Sequence, residues 1–192
     1  MNERKTDRRS LKTQKILKEG LAELLTEKEL RNITVQEVSD KADVHRVTFY
    51  KHFYDIYDLY EQMEKEVLAD LGLLILKFHD NPTENFGKEL VDYIEKNPKY
   101  FKMIFSPHNT GGMRCKFLNM IEGVFHLIQT EKYKVDFNDN RLEYLSAFWS
   151  SGCVAVVEKW VQNDYAQSRD FVIKTISELD NNMEKLISAK PG

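Results

Sequence analysis

Apolar residues in this chain recur three and four positions apart almost from end to end, and that spacing leaves little room for anything but helices. Ile16, Leu17, Leu21, Leu24 and Leu25 mark one stripe, and Leu59, Met63, Val67, Leu71, Leu74 and Phe78 mark a longer one. No convincing alternating segment bounded by turn residues interrupts them. The expectation is an all-α protein of about nine helices. Helix-breaking clusters set the joints at Glu29–Thr34, Asp80–Pro82, Lys96–Pro98, Ser106–Gly112, Lys134–Asn140 and Asn163–Ser168.

Start and stop chemistry sharpens these cuts. Thr34 followed by Glu37 forms a capping box, and Ile33 with Val38 is the matching hydrophobic staple, so a short helix runs from Val35 to about Lys41. Asp55 with Asp58 offers a related cap for a long helix from about Ile56 to Phe78. Asn97 before Pro98 opens another, and Ser168 with Asp170 opens the last. Between the first two of these lies "ADVHRVTFYKHF", a turn at Ala42 to His45 and a second short helix from Arg46 to Phe53. That is the layout of a helix-turn-helix. Ala42 is small where two helices pass closely, Val44 plugs the space beneath the turn, and Phe49 and Phe53 share the inward face. The opposite face carries Arg46, Tyr50 and Lys51, with His45, Thr48 and His52 beside them.

Composition narrows the function classes. With 192 residues, 42% of them hydrophobic and 31% charged, the chain can close a sizeable core. It has no apolar run of the roughly 18 to 20 residues that a membrane helix needs, and "MNERKTDRRS" lacks the apolar stretch of a signal peptide, so no membrane association and a cytoplasmic address are expected. Cys115 and Cys153 show no C-x-x-C spacing, and the histidines at 45, 52, 79, 108 and 126 are scattered, so neither a metal nor a cofactor is expected. An enzyme is not expected either. Glu61, Glu64 and Glu66 read as helix-surface carboxylates, and there is no glycine-rich phosphate loop, G-x-S-x-G or H-E-x-x-H. The net charge of -3 is uneven: residues 1–54 carry 12 Lys+Arg against 9 Asp+Glu, the rest 16 against 22. An anionic partner belongs at the N-terminal end.

Thr34, Val38, Ala42, Val44, Thr48, Phe49, Tyr50, His52 and Phe53 stand in the spacing of the TetR/AcrR family of bacterial transcriptional regulators, which the chain resembles over roughly residues 8 to 60. The preceding "TQKILKEGLAELL" would complete a three-helix DNA-binding domain. "LSAFWSSGCVAVVEKWVQND" is similar to the penultimate helix of the family's Firmicutes-type C-terminal domains. The resemblance implies a regulator, in the first place a repressor, whose second motif helix enters the major groove of an operator. Carried onto this chain, Gln36, Arg46, Val47 and Thr48 are candidates for base edges. Thr34, Tyr50, Lys51 and His52 are candidates for phosphates, with His45 at the helix start and Arg8, Arg9 and Lys12 adding non-specific grip. Three positions depart from the family pattern. Asp43 replaces a frequent turn glycine, His45 replaces a Ser or Asn cap, and Ile56 replaces a lysine that would grip phosphate. The last two feed an alternative, a co-regulator of the same fold that works mainly through a protein partner.

Residues 1–53 are thus expected to form the DNA-binding domain and 54–192 a helical effector-binding and dimerisation domain. In family terms the second domain would hold a pocket for an unknown small molecule or dock a protein partner, with Phe101, Phe105, Met113, Phe117, Met120 and Phe148 as candidate lining. A two-fold homodimer is expected through the last two helices, about Arg141–Asn163 and Arg169–Ile187. Trp149, Gly152, Val156, Ile176 and Met183 are its candidate contacts, because a single helix-turn-helix makes too few base contacts for useful specificity.

Overall fold

The computed structural model describes residues 3–80, 86–109, 112–134 and 140–188. All of its regular structure is helical: α1 (Glu3–Leu24), a 3-10 turn at Leu30–Asn32, α2 (Val35–Lys41), α3 (Arg46–Phe49), α4 (Ile56–Asp80), α5 (Phe86–Lys96), α6 (Pro98–Ile104), α7 (Met113–Tyr133), α8 (Asn140–Gln162) and α9 (Arg169–Ser188). The all-α expectation and its helix count therefore hold among the described residues. The expected joint at Asp80–Pro82 falls largely outside them, as do Thr110–Gly111 and Val135–Asp139 within two others.

Two compact units emerge, residues 1–69 with 99–113, and residues 70–98 with 114–192. The first is built on α1, whose Leu17 and Leu21 are fully buried together with Leu25 just past its end, Val38 of α2, Phe49 of α3 and Leu59 of α4. Each such side chain contributes about 1.5 to 3 kcal/mol on leaving water. α1 and α2 pass closely at Gly20, where a Cβ would stand 3.4 Å from the Val38 carbonyl oxygen and 3.6 Å from the Ala42 nitrogen. α6 supplies Phe101, Met103 and Ile104 to the same core. Its first turn is tied to α1 by Lys99, whose ammonium lies 2.9 Å from both Glu19 and Glu23.

In the second unit α9 packs on α8 and α5. Val91, Ile94, Phe117, Phe125, Trp160 and Ile176 are among its buried residues. Arg169 pairs with Asp92 at 2.8 Å, fixing α9 to α5, and Arg141 donates to the Leu186 carbonyl at 2.7 Å, fixing the start of α8 to the end of α9. Ser168 caps α9, accepting from the Phe171 amide. Asn97 stands directly before Pro98, where α6 begins as expected, and it also acts backwards on α5. Its side-chain amide donates to the Tyr93 carbonyl at 2.9 Å in the last turn of α5, and Pro98 takes the first position of α6.

Candidate nucleic-acid interface

The geometry of the N-terminal motif begins with its caps. Thr34 accepts from the Glu37 amide while the Glu37 carboxylate accepts from the Thr34 amide, a reciprocal box at the start of α2. Lys28 pairs with the same carboxylate, and these contacts hold the Glu37 carboxyl well below the usual range, at about 2, the Lys28 bond being the largest cause. The turn that follows is a Schellman motif: the Asp43 amide donates to the Asp40 carbonyl and the Val44 amide to the Ser39 carbonyl. Asp43 sits at its left-handed position with φ of 53°. His45 begins α3 with an extended backbone and no side-chain cap bond, as expected of a poor capping residue.

α3 is shorter than the sequence suggested. Regular α-helix ends at Phe49, and the chain continues through Tyr50, Lys51 and His52 in a tightened turn, with Lys51 donating to the Thr48 carbonyl and His52 to the Phe49 carbonyl. The inward face is as expected, Phe49 and Phe53 being buried with ring centroids 5.7 Å apart. Lys18, itself buried, lies 5.8 Å above the Phe53 ring and pairs with Glu66 of α4 at 2.5 Å. Ile56, where a phosphate-gripping lysine is frequent, is a core residue here.

What faces out is a cluster of long polar and aromatic side chains. Thr34, Gln36, His45, Arg46, Tyr50 and Lys51 are exposed, Thr48 and His52 are half-buried, and Val47, although apolar, is 70% exposed. The Tyr50 hydroxyl accepts from Arg46 Nη2 at 2.9 Å and Nε at 3.3 Å. Gln36 donates to Asp40 at 2.7 Å, and both line an open hollow with Val44, His45, Arg46, Val47 and Thr48. Asp40 was not among the sequence candidates, since its one signal is the i, i+4 spacing from Gln36. Tyr54 and Tyr57, just past the motif, are exposed as well. Arg8, Arg9 and Lys12 are exposed on α1.

The residues expected to line an effector pocket do not share one setting. Phe101, Phe105 and Met113 are buried in the first unit, and Phe117 is buried and Met120 half-buried in the second. Phe148 is 73% exposed and lines no interior in this chain. The buried arc of α8 is the reason: it holds Trp149, stacked on Phe125 with centroids 4.1 Å apart, and Ser150 on its other side, and Phe148 falls about 200° around the helix from Ser150, outside that arc. Of the expected dimer contacts, Trp149, Ile176 and Met183 are taken up by the subunit's own core, Val156 is half-buried, and Gly152 is exposed with nothing within 4 Å of where a Cβ would stand. Among the described residues no group of three or more His, Cys, Asp or Glu could hold a metal, and no helix is long and apolar enough to cross a membrane.

Residues 80–182, more than half of the chain, match the TetR-type family model described as a transcriptional regulator C-terminal region. The chain belongs to the TetR family of transcriptional regulators. No curated protein sequence matches it. The TetR fold is shared over nearly the whole length with solved structures. The dihydroxyacetone kinase operon activator DhaS aligns over 91% of this chain and 96% of its own at 20% identity and a TM-score of 0.58. The fatty acid degradation regulator FadR from Bacillus halodurans aligns over 93% and 96% at 13% identity and a TM-score of 0.62. A TetR transcriptional regulator from Streptococcus agalactiae 2603V aligns over 89% and 94% at 22% identity and a TM-score of 0.56. At these identities the likeness is one of fold. TetR-family regulators bind DNA as dimers and carry a ligand-binding C-terminal domain.

Proposed function

We propose that this TetR-family protein is a repressor that binds a roughly palindromic operator as a homodimer, under the control of a ligand or partner at residues 54–192. Residues 1–53 do the binding, each subunit laying Arg46 to His52 in a major groove, with half-sites about one helical turn, ~34 to 36 Å, apart. The observation that carries this reading is the two-sided build of the second motif helix: Phe49 and Phe53 are buried while Arg46, Val47, Tyr50 and Lys51 stand in solvent. A surface valine and tyrosine beside two cations suit a groove, where a valine meets a thymine methyl, an arginine pairs with guanine and a lysine meets phosphate. Thr34, whose hydroxyl is already committed to Glu37, is better placed to hold α2 than to grip DNA. A regulator of this kind responds to its effector only through a difference between two states, so effector and operator must alter each other's affinity by one factor.

Retardation of DNA from the protein's own upstream region, with and without cell extract, tests the reading against the co-regulator alternative. Direct retardation by the purified protein is expected, weakened for all sequences by Lys51→Ala and with a shallower salt dependence. Wild-type and Lys51→Ala proteins that retard every duplex equally, or retardation that appears only with extract, would overturn it.

A further inference from the structure

We infer that Tyr50 is the residue that positions Arg46 for base reading, so that discrimination at one base pair depends on the tyrosine hydroxyl. The inference rests on the recognition-helix reading above and deepens it. Arg46 carries five N–H donors in a planar fork. The Tyr50 hydroxyl oxygen accepts from Nε at 3.3 Å and from Nη2 at 2.9 Å, which occupies the side edge of the guanidinium. The end edge, with one N–H from each of Nη1 and Nη2, is left for another partner. That is the edge that meets O6 and N7 of a guanine as a parallel pair.

The clasp is anchored from the core outward. The Tyr50 ring stands edge-on to the buried Phe49 ring, with centroids 5.6 Å apart and planes at 82°. The Arg46 guanidinium carbon lies 5.4 Å from the Tyr50 ring centroid, inside the range of cation–π attraction. A flexible arginine would lose rotamer freedom on docking, and one already oriented loses less. The acceptor is a neutral phenol, so the full positive charge of Arg46 remains available to DNA, which a carboxylate at position 50 would cancel.

The test starts from selection of duplexes out of a randomised double-stranded DNA pool by the wild-type protein. Binding is then measured to the selected duplex and to versions in which each G·C pair is exchanged for A·T. Arg46→Ala identifies the pair that the arginine reads. Tyr50→Phe, which keeps the ring and removes the hydroxyl, is expected to lower discrimination at that same pair about fivefold or more and to leave it unchanged elsewhere. In an Arg46→Ala background, Tyr50→Phe should change discrimination at no position, and thermal melts of all variants check that the fold survives. Tyr50→Phe weakening every duplex by one common factor would make Tyr50 a backbone contact and overturn the inference. A wild-type protein that selects no sequence would instead overturn the recognition-helix reading, a result distinguishable from the first.

Discussion

Asp43 adopts φ of 53°, a conformation that costs an L-residue about 1 to 2 kcal/mol and a glycine almost nothing. The Schellman turn between α2 and α3 nevertheless forms around it, because two backbone bonds close the turn whatever the side chain. Asp43→Gly should therefore raise stability, by about 0.5 kcal/mol after the extra freedom glycine gains in the unfolded chain is counted. It also removes a negative charge from an exposed position in the motif, so binding to any duplex should tighten. Urea midpoints and a filter-binding titration measure the two effects, and a lower midpoint in the variant would mean that the Asp43 side chain contributes more than its strain costs.

α2 depends on chemistry at its first turn, where Glu37 meets both the Thr34 cap and Lys28. Its carboxyl is held at about 2, below the ordinary value of 4.5. A carboxyl depressed on folding stabilises the folded state above its unfolded value and loses that contribution as the pH falls toward its folded value. The window is thus about pH 5 down to about pH 2. Wild type should exceed Glu37→Gln in urea midpoint at neutral pH, and the gap should close as the pH approaches 2. A gap that is constant with pH would show that the carboxylate charge has no part in holding α2. Thr34→Ala, which removes the cap itself, should cost about 1 kcal/mol at neutral pH and less as the pH approaches 2, since the Thr34 hydroxyl also donates to the Glu37 carboxylate.

Assembly is where exposed apolar surface bears on function. α8 shows Tyr144 and Phe148 to solvent, and α9 shows Phe171, Leu179 and Leu186. Exposed apolar side chains gathered on two helices are what the proposed dimer would cover. A second copy placed there would bury the on the order of 2,000 Å² or more that obligate dimers use, and would set two recognition helices in fixed relation. Gly152 lies in the exposed stretch of α8 with open space around it, so an arginine there should fold in the lone subunit and clash only with a partner. Sedimentation at micromolar concentration should find wild type dimeric, Gly152→Arg and Phe148→Glu monomeric, and both variants still helical but unable to retard operator DNA. A monomeric wild type would end the proposal.

Local physics made much of this readable from residues alone. A cap, a staple and a 3.6-residue period act within a few positions of one another, so the bounds of α2, the start and extent of α4 and the two long C-terminal helices could be drawn without coordinates. The buried Phe49 and Phe53 followed from their i, i+4 spacing beside polar neighbours. Other features depend on groups far apart in the chain. That Trp149 rather than Phe148 faces inward is settled by Phe125 on another helix, because an apolar stripe wide enough to hold both residues does not say which side the core takes. Gly20 matters only because α2 passes over it, and Ile56, which the family pattern would make a lysine, is buried by packing that its own neighbours in sequence do not specify. The Arg46–Tyr50 clasp lies between these extremes: helical spacing brings the two side chains near, while the perpendicular contact of the Tyr50 ring with the buried Phe49 ring exists only once the core has closed.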